Sequence, residues 1–483
     1  MNRIFFAAFV LAVFPLVSRA EDKVVRLKVR PMPAPKPALK YLLLPEVREM
    51  SPGNPAQWYV RCFAEQRNFF FTKFSDTQRA RYLAISLSEL RAEKIREYGR
   101  GALTQADWAA RLDALDWQVL ERVQTDGMDM RQPELGPLGI LGTALKVRFR
   151  TEVANGQFDE AVRTAKTMFA FARHLGENPT HAANQLGLSV ANLAVDVLEE
   201  MVQEPDCPNL YWALTDLPIP LVDLRKGFQG DRSLMAKELR PIRDDAVMSE
   251  EELEKVVSRF SGVMNFGRIQ TGQSTHGLRA EIMARAKDAE KIRAIRERML
   301  EARRLALVNR KRDQKVMSYD FFNKVLELNS ALDLIRKMPP LQIVLLDEKQ
   351  KFETRTDERM KLLALTPWQI DRLGGDELER DGSALLANLL PHVVEARRAQ
   401  GRLEQRMAML RHVEALRLYA AEHDGKLPAT LSDIAVPLPD DSFTGKPFAY
   451  EVKGGTARLR GGSPRHGEKN AACDVCYEVA FQK

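Results

Sequence analysis

The chain has 483 residues, 45% hydrophobic and 29% charged, which is the balance of a globular protein and excludes a disordered one. Its net charge of +7, to which Arg3 and Arg19 contribute, is too small to mark a nucleic-acid-binding protein without a focused basic patch. Four cysteines, at 62, 207, 473 and 476, leave three pairings open in an oxidising compartment.

The start of the chain reads as a secretory signal peptide over residues 1–20. Met1-Asn2-Arg3 is positive, Ile4 to Val17 is apolar, and Ser18-Arg19-Ala20 places small residues at −3 and −1 of a cleavage site. The apolar run is shorter than the roughly 20 residues a spanning helix needs. No cysteine follows it, which argues against a lipoprotein. The expected location is the periplasm or cell envelope, with membrane contact at most peripheral.

Residues 21–53 read as a proline-rich tether, because the alternating prolines of Arg30 to Lys40 favour an extended spacer. Residues 54–260 form a helical-hairpin domain. Ser75 with Gln78 and Ser249 with Glu252 have capping-box spacing, and Thr104 is an expected N-cap for a helix carrying Trp108, Leu112, Leu115 and Val119. Leu138, Leu141, Leu145, Phe149 and Val153 mark one helical face. Phe158, Ala161, Ala165, Met168, Ala172 and Leu175 mark a second, and Leu186, Val190, Leu193, Val197 and Met201 a third. Short breaks at Asn155-Gly156-Gln157 and Gly176 to Pro179 make these antiparallel neighbours.

Residues 261–382 are a charged helical region. Gly262, Gly267, Gly272 and Gly277 suggest a loop, and the basic stretch from Arg279 to Lys315 reads as a solvated helix face or a site for an anionic surface. Leu341 to Leu346 fits a buried strand or a helix start, and Thr366-Pro367 opens a helix that Gly374 stops. Residues 383–483 combine a long helix, opened by Ser383 and bent at Pro391, with a small antiparallel sheet. Phe448 to Lys453, Thr456 to Arg460 and Cys476 to Phe481 alternate as half-buried strands do, with Gly454-Gly455 as a hairpin turn. The fold class is therefore mainly α: an antiparallel helical-hairpin, repeat-like body with a small C-terminal α+β antiparallel-sheet domain.

Three resemblances follow from particular phrases. Asn155 to Val162 resembles the turn and second helix of a tetratricopeptide repeat, without a 34-residue recurrence. Leu418-Tyr419, Glu422-His423, Gly425 to Pro428, Leu431 and Asp440 to Tyr450 resemble the globular part of a type II secretion major pseudopilin. That likeness implies a fold for the C-terminal unit and, with no prepilin leader and an amphipathic helix, implies no pilus. Pro208 to Leu214, Ala172 to Leu175, Pro367 to Gln369 and Tyr477 to Phe481 resemble a family of uncharacterised exported planctomycete proteins. This implies architecture and host type and brings no catalytic residues.

Catalytic signatures are weak. There is no Gly-x-Ser-x-Gly, no Ser-x-x-Lys and no His-Glu-x-x-His, and Gly272 to His276 is a near miss in a loop. Cys473 and Cys476 are a candidate local disulfide, with unpaired thiols, a redox pair or a metal site including His466 as alternatives. Cys476 is expected on the more exposed face of its strand, opposite Tyr477, Val479 and Phe481. The remaining histidines read as polar-face or satisfied interior residues. Asn209, Tyr211 and Trp212 are a candidate partner groove, with core packing an equal reading for the two aromatics. The expected function is an exported non-enzymatic scaffold or binding protein of the cell envelope. It has no cofactor, no metal and no nucleic acid, and its partner is another envelope protein. The rivals are an exported hydrolase with a site assembled from distant residues, and a peripheral envelope protein held by its basic helix.

Overall fold

The computed structural model describes residues 24–269, 277–312, 330–380, 385–386, 392–463 and 475–482. Helices dominate, and four short strands form one sheet. Helix α1 (Pro55–Glu65) starts on Asn54, whose side chain accepts from the Ala56 N–H, with Pro55 at the first helical position. Three longer helices follow: α2 (Leu135–Ala154), α3 (Phe158–Gly176) and α4 (His181–Met201). They pack pairwise, as the three periodic faces require, and Leu141, Phe149, Met168, Leu175, Val197 and Met201 are buried. Gly156 closes the first turn at φ +71°, where a side chain would be strained. Gly187 lets α4 lie against the Ala172 carbonyl of α3, where a Cβ would sit only 2.8 Å away.

A second core is built by α5 (Arg225–Leu239), α6 (Glu250–Ile269), α7 (Gly277–Lys287), α8 (Ala289–Arg312) and α9 (Pro340–Met360). Leu341 to Leu346 is helical, because Pro339-Pro340 opens α9 and the helix then runs on into a charged stretch. Helix α6 runs through Gly262 and Gly267, which sequence reading placed in a loop; Gly272 to His276 lie outside the described residues.

The C-terminal part is organised around α10 (Val393–Glu422), a 30-residue helix. The sheet beside it contains β1 (Val24–Val29), β2 (Ala449–Lys453), β3 (Thr456–Arg460) and β4 (Cys476–Phe481), in the order β1-β4-β3-β2. The expected hairpin is present, with Gly454 and Gly455 at φ +56° and +77°. The sheet is mixed, however, since β1 pairs in parallel with β4. The segment expected to be a free tether therefore begins as a strand and continues as packed chain. Leu27 and Val29 are buried, Leu42 and Leu43 are buried further on, and the Met32 N–H donates to the Arg417 carbonyl. Alternation in Val24 to Val29 was the available signal, overshadowed by the prolines that follow.

Local signals fared unevenly. Ser249 and Glu252 form a reciprocal cap, and the Thr366 N–H donates to Gln369 Oε1 at 2.9 Å. Ser75 is not a cap: Thr72 starts that helix and accepts from the Ser75 N–H. Thr104 lies inside the helix Arg100–Ala109, which Gly99 begins, and Leu112 and Val119 fall beyond its end. Ser383 and Pro391 lie outside the described residues.

Buried charge joins α10 to everything around it. The Arg417 side chain is 1% exposed; it pairs with Glu414 at 2.8 Å and donates to the carbonyls of Cys207 (2.7 Å) and Arg30 (3.0 Å). Asn209 Nδ2 donates to the Glu414 carbonyl at 2.9 Å. Arg406 reaches Asp196 and Glu199 of α4, both at 2.8 Å, and Tyr477 of β4 donates to Glu199. Removing one member of a buried pair leaves the other charge without compensation. Arg417→Met is expected to lower stability by about 3–5 kcal/mol in chemical unfolding. The double variant Arg417→Met with Glu414→Leu should recover part of that loss. A single-variant change below about 0.5 kcal/mol, the usual range for surface sites, would contradict this assignment.

Candidate functional site

A cavity lies on the seam where α10 meets three segments distant in sequence. It has a volume of about 340 Å³. One wall is Leu403, Met407 and Ala408 of α10; another is Leu214, Leu217, Leu221 and Val222; the third is Trp368 with the loop Pro439 to Gly445. Each segment is pinned. Gln400 Nε2 donates to the Val222 carbonyl at 2.5 Å, and Ser442 Oγ donates to the Gly401 carbonyl at 3.0 Å. Gly445, at φ +62°, lies so close to Trp368 that a Cβ would come within 2.6 Å of the indole nitrogen. Ile219 forms the lip and is 68% exposed.

The cavity is mostly apolar, with a few charged groups. Glu404 is 3.1 Å from Arg397, and burial raises its pKa even though Arg397 pulls the other way. Asp441 is buried and satisfied: it accepts from Gln405 Nε2 at 2.7 Å, the Gly462 N–H at 2.7 Å and the Phe443 N–H at 3.1 Å. Asp440 is exposed at the rim. Arg411 projects from α10 with its guanidinium over the Tyr211 ring, 5.8 Å from the centroid, and its Nε is buried without a hydrogen-bond partner. A second, open depression of about 580 Å³ shares Pro439 and Asp440 with the cavity and extends past His412 and Phe448 to Tyr450 of β2.

The residues singled out in the sequence lie elsewhere or serve packing. Asn209 and Tyr211 are buried on α10 and Trp212 is half-buried, so the first two face the chain's own helix. Tyr211 backs Arg411 and donates to the Pro437 carbonyl. Cys473 and His466 lie outside the described residues. Cys476 is buried, contrary to the expected exposed face, because Arg458 folds over it and donates from Nε to Sγ at 3.3 Å. Cys62 and Cys207 are buried free thiols, and burial pushes both up to about 12, where a thiolate is scarce. His174, His181 and His412 are lowered to about 4 by burial and stay neutral. Among the described residues, no three His, Cys, Asp or Glu side chains gather as a metal site would require. Many cations of the basic stretch are paired, Arg285 with Glu348 at 2.7 Å, Arg303 with Asp244 at 2.9 Å and Arg279 with Glu254. Among the described residues, no helix is long and apolar enough to cross a membrane.

Sequence reading missed Arg411, Ile219 and Asp440. Glu414 stands three residues after Arg411 and three before Arg417, so spacing alone cannot say which arginine it serves. The fold gives it to Arg417. Comparison with protein-family models, curated proteins and solved structures finds no match.

One perturbed carboxyl lies away from the cavity, inside the hairpin helices. Glu152 of α2 is pushed up to about 7 by burial, against the pull of Arg148 and of the Thr164 hydroxyl, which donates at 2.6 Å. Its folded pKa lies above the ordinary 4.5, so the folded state holds the extra proton and stability falls as pH rises from about 4.5 to about 7. Glu152→Gln keeps the acceptor for Thr164 and removes the charge. It is expected to gain on the order of 2 kcal/mol over the parent at pH 8, and less at pH 5. Thermal midpoints at the two pH values check this; an equal difference at both would show that Glu152 keeps an ordinary carboxyl pKa.

Proposed function

We propose that the chain is an exported, non-enzymatic binding protein of the cell envelope, and that the seam cavity seats an apolar segment of a partner protein. The observation that carries this is an apolar-walled cavity of about 340 Å³ with an exposed isoleucine on its lip. Binding pockets share this character: concave, largely apolar, with few polar groups. The chemistry of the lining supports binding over hydrolysis. None of the lining residues is a histidine or cysteine; of the three acids, Glu404 is ion-paired with Arg397, Asp441 is hydrogen-bonded within the fold and Asp440 stands at the rim. Export rests on the positive, apolar and small-residue pattern of the first twenty residues. The pseudopilin-like reading of the last domain is likewise a proposal, supported by the long helix, the turn at Gly425 and the β2–β3 hairpin.

Exposed apolar residues also occur away from the cavity, Val47 at 88% among them, and these provide a control. Ile219→Asp is expected to abolish co-purification of the partner from the native host while leaving the thermal midpoint unchanged. Val47→Asp should leave the partner in place. Equal recovery with both variants would sink the assignment of the site.

A further inference from the structure

This inference rests on the reading of the seam cavity as a binding site. We propose that the cavity recognises the C-terminal carboxylate of a partner chain whose last residues are apolar, and that Arg411 is the residue that reads the charge.

Four other arginines of α10 are ion-paired. Arg397 pairs with Glu404, Arg398 with Asp371 and Asp376, Arg406 with Asp196 and Glu199, and Arg417 with Glu414. Arg411 makes no ion pair among the described residues, and its Nε is buried without a hydrogen-bond acceptor. A half-buried guanidinium in that state has donors to offer, and a carboxylate is the acceptor whose fork matches them. The Arg411 guanidinium lies over the Tyr211 ring, 5.8 Å from its centroid, and Tyr211 is itself fixed through its hydroxyl on Pro437. The neighbouring acids do not supply the missing partner. Glu404 is taken by Arg397, Asp441 is saturated, and Asp440 stands exposed at the rim.

The apolar walls say what must accompany the carboxylate. The open depression, which shares Pro439 and Asp440 with the cavity and reaches Tyr450 of β2, leaves room for a chain preceding the carboxylate. Residues preceding the terminus would lie there, beside the outer strand of the sheet. Capture of a chain terminus through its carboxylate, with pockets for the apolar side chains, is a known mode of peptide recognition.

The test is fluorescence anisotropy on the purified protein with a dye-labelled hexapeptide ending in Leu-Val-Leu. One form carries a free carboxylate and the other a C-terminal amide. The free acid is expected to bind at least about tenfold tighter, the size of one charge-assisted hydrogen bond. Arg411→Gln should remove that preference, and Asp440→Asn should tighten binding of the acid by removing a rim charge of the same sign. Equal binding of acid and amide would overturn the carboxylate proposal while leaving the cavity as a binding site. Binding of neither peptide would overturn both. Weaker binding in Asp440→Asn would show that the rim reads a cation. Should Arg411→Gln fail to fold, the acid–amide comparison on the parent protein still decides.

Discussion

The buried pair of Arg417 and Glu414 is the constraint on which the rest of the molecule depends. Desolvating two charges is costly, and the cost is offset only where every remaining donor and acceptor is met. Arg417 meets that demand with carbonyls from Arg30 near the start of the described chain and from Cys207 after the hairpin helices. Glu414 offers its backbone carbonyl to Asn209. Two regions far apart in sequence are thus tied to one turn of α10. The same helix carries Arg406, whose burial works against its charge but is outweighed by Glu199, Tyr477 and Asp196, so the guanidinium stays ionised. Two such bolts, roughly three turns apart, fix the helix against both the hairpin body and the sheet.

Fixing the helix is what makes the cavity. Met407 and Ala408 lie on α10 between the bolts and Leu403 just before the first, and the segments opposite are held by Gln400 and Ser442. A gap among well-packed side chains normally closes by small shifts unless its walls are held apart. Here the walls belong to elements whose separation is set by polar contacts, so an apolar cavity persists between them.

Much of the architecture was legible in the sequence because it is locally encoded. The faces of α2, α3 and α4 follow a 3.6-residue period, and the turns at Gly156 and Gly454-Gly455 announce themselves by residues that tolerate positive φ. What was not legible is non-local. Strand β1 joins β4 across most of the chain, Arg26 meeting Glu478 at a separation of 452 residues, and a proline-rich stretch after β1 looked like a tether. Nothing in the local pattern of α10 announced the partners of its charges, yet Arg397, Arg406, Glu414 and Arg417 are sequestered in pairs. The cavity draws on residues near 214–222, 366–368, 400–411 and 439–445, and no periodicity links those segments. Asn209 and Tyr211, read as a candidate partner groove, are buried and bond to the chain's own Glu414 and Pro437 carbonyls.

The central claim is that the N-terminal strand, the hairpin helices and α10 form one cooperative unit through Arg417. Amide hydrogen exchange of the whole protein across a urea series tests it most directly, since segments that unfold together lose protection together. The account predicts that β1, residues 207–211 and the turn of α10 around Arg417 open in a single step. Release of β1 and β4 at low urea, with residues 207–211 and α10 still protected, would contradict it.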